Sequence, residues 1–334
     1  MRVVVIVTMV ALSVFAGCNG AGKGKTVMGE PKTLLTVDFQ EGQTLQYKFV
    51  SNRELEVDWD PTGRTSPSGK HTADKVSESM ELVMSYTPVE LKPYGLTTIK
   101  ATCDSAKVTR SKGTTRRGAM KDAVEALAGK SFVFTVGPTG KIEDYSQLEK
   151  LLLEIGNQAF QADTSRGRIK EPDMISDFIA GQWFLWDSVS SIEETARGVT
   201  TGQSWKSKLS IPAPMPVMLR KARDVTYTLD QIRADDKGRL AVIRSKYSPA
   251  ESAPRSWPLP YSGSFQMAGT FGFLRGYKII DLQGQGEELF NIDAGRTERY
   301  SQQYKAQLET SLPIGISANP RVNINQTLTM ELLK

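Results

Sequence analysis

The chain has 334 residues and a mass of 36.8 kDa, enough for one large β-domain or two smaller ones with a buried core. With 24% charged and 39% hydrophobic residues it has the balance of a globular protein, not of a disordered or membrane-spanning chain. A formal charge of +5 is too small an excess to call for a nucleic-acid partner, and two cysteines, Cys18 and Cys103, are too few for a disulfide scaffold or a Cys-based zinc site.

The chain starts Met1-Arg2 and continues through an apolar stretch, Val3 to Ala16, broken only by Thr8 and Ser13. A positive start and a short apolar segment form the layout of a secretory signal, and the stretch falls short of the ~20 residues a transmembrane helix needs. Val14-Phe15-Ala16-Gly17-Cys18 resembles the bacterial lipoprotein cleavage motif, with Phe15 where that motif usually has Leu. The resemblance implies a signal peptide over 1–17, cleavage between Gly17 and Cys18, and a lipid on the Cys18 thiol. Each buried methylene contributes about 0.8 kcal/mol, so two or three acyl chains hold the protein to a membrane. Asn19 follows where an aspartate would resemble an inner-membrane retention signal, so the expected address is the outer membrane. Residues 18–33 read as the lipidated cysteine and a Gly/Lys-rich tether. Within it, Gly22-Lys23-Gly24-Lys25-Thr26 is not a phosphate loop, because Asn19 stands where the first glycine belongs and no strand precedes it.

The first half, 34–165, opens with Gly42-Gln43-Thr44 and an alternating strand at Leu45-Tyr47-Phe49. Strands are expected over Val76–Tyr86 and Leu96–Val108. A short helix is expected over Met120–Leu127, ending at Gly129, and Phe134 to Gln147 reads as a hairpin turning at Gly140. A longer helix covers Gln147–Phe160, with Leu148, Leu151, Leu152, Ile155 and Phe160 on one face. The polar segment from Phe160 to Pro172, holding Arg166, Arg168 and Lys170, is the expected junction between halves.

In the second half, 166–334, Pro172 followed by Ile175, Phe178 and Ile179 predicts a third helix. Gly202-Gln203-Ser204-Trp205 opens a strand, and Val225–Ile232 and Leu240–Tyr247 flank a turn at Asp235-Asp236-Lys237-Gly238. Strands are also expected over Ser264–Phe273, Tyr277–Gln285 and Val322–Met330. Ile211–Pro216 and Pro249–Pro260 are Pro-rich loops that cannot join a sheet interior.

Three patterns occur twice in the same order: Gly42-Gln43-Thr44 with Gly202-Gln203-Ser204, Tyr86-Thr87 with Tyr227-Thr228, and the Phe134 hairpin with Phe290 to Gln302. Their spacing differs by loop-sized amounts, as an internal duplication would produce. The expected fold class is mainly β with a few helices: long curved antiparallel sheets, or a half-barrel, with helices from mid-chain on a concave apolar face. Half-barrels of this kind resemble the lipoprotein-carrier class of envelope proteins. The strand start and the F-x-[VI]…G-[KR] hairpin are similar to an uncharacterised family of β-rich bacterial envelope lipoproteins, over most of 35–334. That family implies no activity and no functional residues.

Reactive groups are sparse. The one histidine, His71, sits in the polar loop Pro67–Thr72, so a Ser-His-Asp triad or a His-based metal site has little to draw on. No cofactor is expected. Glu193-Glu194, Asp235-Asp236 and Glu287-Glu288 are adjacent carboxylates that a strand would point to opposite faces, and these, with Asp58 and Asp60, are expected in solvent. Lys107, Arg110, Lys112, Arg116, Arg117 and Lys121 form a run without an acid, a candidate patch for anionic surfaces. Trp183, Phe184, Trp186, Trp257 and Tyr261 are candidates for a ligand mouth or partner surface. The expected function is a non-catalytic, lipid-anchored envelope protein, binding or structural, with an apolar ligand in the concave face as the narrower version. The alternatives are an envelope polymer hydrolase using carboxylates and a scaffold for an envelope protein complex.

Overall fold

A computed structural model describes residues 32–62, 73–111, 121–163, 167–213, 220–236, 238–258, 266–312 and 319–333. Gly17 and Cys18, with the leader and the start of the tether, lie outside the described residues, as do His71, Lys112, Arg116, Arg117, Arg166 and Tyr261.

The chain begins with β1 (Leu45–Asp58), β2 (Ala73–Leu91), β3 (Thr97–Arg110), β4 (Ser131–Val136) and β5 (Ile142–Asp144). Helix α1 (Ser146–Ala159), the short strands β6 (Phe160–Asp163) and β7 (Gly167–Lys170), and helices α2 (Ile175–Phe184) and α3 (Asp187–Ser190) occupy the middle. Then come β8 (Ser204–Ser210), β9 (Ala222–Asp235), β10 (Gly238–Pro249), β11 (Gln266–Met267), β12 (Arg275–Asn291), β13 (Arg296–Ser311) and β14 (Arg321–Leu332).

Among the described residues, eleven strands form one antiparallel sheet in the order β5-β4-β3-β2-β1-β14-β13-β12-β10-β9-β8. The sheet stays open, with β5 and β8 at its edges. Its first and last long strands meet at the centre, where Phe49 lies opposite Met330 and Leu55 opposite Ile324. The expected mainly-β class with a curved antiparallel sheet is the fold observed. Lys32–Lys334 is one compact unit, and one sheet spans both halves.

Strict alternation builds the sheet. In β1, Leu45, Tyr47, Phe49, Ser51, Arg53, Leu55 and Val57 are buried, and their intervening neighbours face the other way. β2 and β14 repeat the rule with Met80, Leu82, Met84 and Tyr86, and with Ile324, Gln326, Leu328 and Met330. We call this buried side the inner face.

Helix α2 packs within this core. Ile175, Phe178, Ile179, Ala180 and Phe184 are buried around its circumference, as are the polar Asp177 and Gln182, so the helix is enclosed on all sides. Gly181 lies against the Phe49 ring, where an added Cβ would sit 3.7 Å away.

The two Gly-Gln starts have matching local geometry. Gly42 and Gly202 have φ of 77° and 83°, and their amides donate to Pro88 and Leu229 carbonyls at 2.9 and 2.7 Å. The hydroxyl pairs Thr44–Thr87 and Ser204–Thr228 are each 2.7 Å apart.

Two expectations need correction. The stretch Ser264–Phe273 is not a strand: its described part holds only the two-residue β11, then Gly269 turns the chain at φ 66° into a 3-10 turn at Thr270–Gly272. Within the segment from Phe160 to Pro172, β6 and β7 pair antiparallel and β11 joins β7 in parallel. The helix expected over Met120–Leu127 is a 3-10 turn, Ala123–Leu127, opened by a capping box between Asp122 and Glu125. Helix α1 matches its expected span closely, whereas α2 starts after Met174 and not at Pro172.

Candidate functional site

Two clusters of polar side chains lie inside the inner face. The first centres on Arg53, which is 1% exposed. Its Nε and Nη2 donate to Glu78 on β2 at 3.0 and 2.5 Å, and its Nη1 donates to Asp177 on α2 at 2.6 Å. Glu78 also accepts from Arg110 Nε at 2.6 Å, and Arg110 pairs in turn with Asp122. Asp177 accepts from the Ser51 hydroxyl at 2.9 Å and from the Gln326 amide. The helix is therefore fastened to β1, β2 and β14 through charge, and Tyr86 OH adds a bond to Gln182 Oε1 at 2.8 Å.

Burial works against each charge, and the partners decide the outcome. Burial would raise Glu78, but Arg53 and Arg110 together hold it below the ordinary carboxylate value. For Asp177 burial wins and its carboxyl is pushed up, although Arg53, Ser51 and Gln326 pull against that. Asp122 rises to about 6 through burial and the nearby Asp173, with Arg110 opposing.

The second cluster surrounds Arg223 on β9, which is fully buried. Its Nη2 donates to Gln302 Oε1 at 2.8 Å, and its guanidinium lies 4.4, 4.6 and 5.5 Å from the ring centres of Tyr304, Tyr247 and Phe184. Such cation–π contacts replace part of the lost hydration. Among the described residues its Nε and Nη1 have no hydrogen-bond partner.

Nearby, Asp187 accepts from Tyr227 OH at 2.7 Å and Ser207 at 2.9 Å, and burial pushes it up to about 6. Glu288 accepts from the Thr297 hydroxyl at 2.6 Å, and burial pushes it up to about 7. Tyr304 joins the clusters, since its ring faces Arg223 and its hydroxyl donates to Gln326. β12 makes the room: an added Cβ on Gly286 would lie 2.5 Å from Tyr247 OH, and one on Gly284 2.4 Å from Tyr304 Cβ.

The outer face is different. Across β2, β1, β14, β13 and β12 runs a half-open groove of about 450 Å³. Glu54, Glu56, Lys75, Gln307, Asn323 and Asn325 are among its lining residues. Gln307 Nε2 donates to Asn323 Oδ1 at 2.9 Å, and Lys75 lies 3.4 Å from Glu56. The groove presents amides, hydroxyls and both signs of charge.

The aromatic candidates separate. Phe184 and Trp186 are core residues, each 3% exposed, so they line no ligand mouth. Trp186 packs edge-on to Phe39, Tyr86 and, tilted, Phe134. Trp183 and Trp257 are half-buried and come together around Tyr145: its ring meets Trp183 at 5.3 Å, and its hydroxyl bonds to the carbonyl of Ser256, next to Trp257. Of the basic run, Lys107 and Lys121 are exposed, but Arg110 is spent on Glu78 and Asp122 and does not belong to a surface patch.

Two acids expected in solvent are buried, Glu288 and Asp60, while Glu287 is exposed on the opposite face from its neighbour. Arg53 and Arg223 were not among the sequence candidates. Their positions in the period-two pattern of inward residues, with Phe49 and Leu55 or Val225 and Tyr227, are the signal that marks them.

No family model matches the chain, and no curated protein matches it. Among solved structures, lipovitellin, studied for its lipid–protein interactions, aligns with 89% of this chain at 8% identity and a TM-score of 0.33. This chain spans about a quarter, 26%, of the lipovitellin chain. A Bacteroides fragilis protein of YmcC-like fold, described as exported, aligns over 90% of this chain and 100% of its own at 8% identity, with a TM-score of 0.14. Neither likeness carries an argument about function.

Proposed function

We propose that this chain is a lipid-anchored, non-catalytic binding protein of the cell envelope, whose ligand surface is the outer groove. The observation that carries the reading is the contrast between the two faces. The inner face is filled by α2 and buried side chains, while the outer groove is open, lined by charged and amide side chains among apolar ones, and spread over five strands. Hydroxyl-rich polymers fit such a surface, because side-chain amides and carboxylates can replace the water bonds of sugar hydroxyls. The Cys18 motif supports the anchor and an envelope address, and the paired Gly-Gln geometry supports a duplicated body.

The test is co-sedimentation of the full chain with insoluble envelope glycan, alongside Asn323→Leu and Gln307→Leu. Binding that falls at least tenfold in the variants supports the groove. No binding by the parent chain overturns it, and release of new reducing ends would convert the reading to a hydrolase acting through Glu54, Glu56 or Asp281. Native mass spectrometry that finds a bound lipid would favour the apolar carrier, which requires α2 to leave its seat. Incorporation of labelled fatty acid, abolished by Cys18→Ser, tests the anchor separately.

A further inference from the structure

A second cavity, of about 330 Å³, lies where the chain entering β9 meets the loop after β10. Arg220 and Lys221 form one wall, Pro249 to Ala253 another, and Lys278 at the start of β12 the third. Three cations line it against one carboxylate, Glu251. Among the described residues none of the three is ion-paired; the neighbouring Lys208, by contrast, lies 3.5 Å from Asp224.

Arg220 is held in place beside the cavity it lines: its Nε donates to the Trp257 carbonyl at 2.9 Å. Lys221 is half-buried, and that burial alone lowers its ammonium below the ordinary value. A cation partly stripped of water and held in no ion pair is costly, and a bound anion offsets that cost. A guanidinium and two ammonium groups around one small cavity match the several oxygens of a phosphate. Beside them stand Trp257, Tyr145 and Trp183, aromatic residues with polar tips that suit a water–lipid boundary.

We propose that this notch binds a phosphate group through Arg220, Lys221 and Lys278, presented either free or as a lipid headgroup. The binding is independent of the glycan reading above, since the two cavities share no lining residue. The test is lysine acylation of the full chain, read by peptide mass spectrometry, with exposed Lys206 as the internal control. One set of reactions uses the chain in neutral detergent, with inorganic phosphate or with sodium chloride of equal ionic strength. The other uses phosphatidylcholine vesicles with and without phosphatidylglycerol.

We expect at least fivefold protection of Lys221 and Lys278 with Lys206 unchanged. Protection by inorganic phosphate identifies a free-phosphate site, and protection only by phosphatidylglycerol identifies a headgroup site. Lys278→Gln, an exposed change that leaves the core untouched, should raise the phosphate concentration needed to protect Lys221 about tenfold. Equal protection by chloride, or none from either phosphate source, overturns the proposal.

Discussion

Replacing Arg53 with methionine tests whether charge holds α2 in the sheet. The substitution leaves Asp177, wholly inside, without its cation, while Glu78 keeps Arg110 at 2.6 Å. Removing one member of a buried pair typically costs about 3–5 kcal/mol, because the other is left uncompensated. Asp177→Leu strands Arg53 with Glu78 alone and should cost about as much. The double variant Arg53→Met/Asp177→Leu removes both charges, replaces them with apolar groups and keeps the Glu78–Arg110 pair. Its expected cost is under about 2 kcal/mol, a coupling of at least ~4 kcal/mol. At about 2–4 °C per kcal/mol, each single variant should melt about 6–20 °C lower. Urea unfolding followed by tryptophan fluorescence gives the cycle. A loss below ~1 kcal/mol for Arg53→Met, or additive single costs, would refute the reasoning.

Glu288 gives a pH prediction. Its folded-state pKa, about 7, stands above the ordinary 4.5, so its favourable contribution is complete below pH 4.5 and lost as pH rises through 7. The difference amounts to ~3 kcal/mol at 1.36 kcal/mol per pH unit. Glu288→Gln keeps an acceptor for Thr297, so it should match the parent near pH 4.5 and exceed it by roughly 2–3 kcal/mol at pH 8. Equal stabilities at pH 8 in denaturant titrations would contradict this. Gly286→Ala should lose about 1–3 kcal/mol, because its Cβ meets Tyr247 OH and Ser245 Oγ within 2.6 Å; a neutral result in the same titration would show that the strand yields. Burial pushes the Cys103 thiol up to about 12, so maleimide should not label it in the native chain at pH 7. On unfolding, one thiol should react if Cys18 is acylated, and two if it is not.

Much of this architecture is written in alternation. Tyr47 and Phe49, Met80 to Tyr86, and Ile324 to Met330 mark their strands because every second side chain must leave water, whatever the partners are. The same holds for α1, whose leucines recur at helical spacing, and for the turns at Gly42 and Gly202, where positive φ calls for glycine. Alternation failed where polar residues took inward positions. Ser51 and Arg53 cut the first strand short on paper, though they continue it in space. Their burial is affordable only because Glu78, Asp177 and Gln326 arrive from three other elements. No local pattern encodes that meeting. Nor could composition distinguish Phe184 and Trp186, sealed in the core, from Trp183, half-buried one residue earlier. Local chemistry thus determined which segments became strands and helices, and which of their sides turned inward. Which charges met there, and the groove and notch left outside, were decided only when distant strands came together, because desolvation and pairing depend on neighbours far away in the chain.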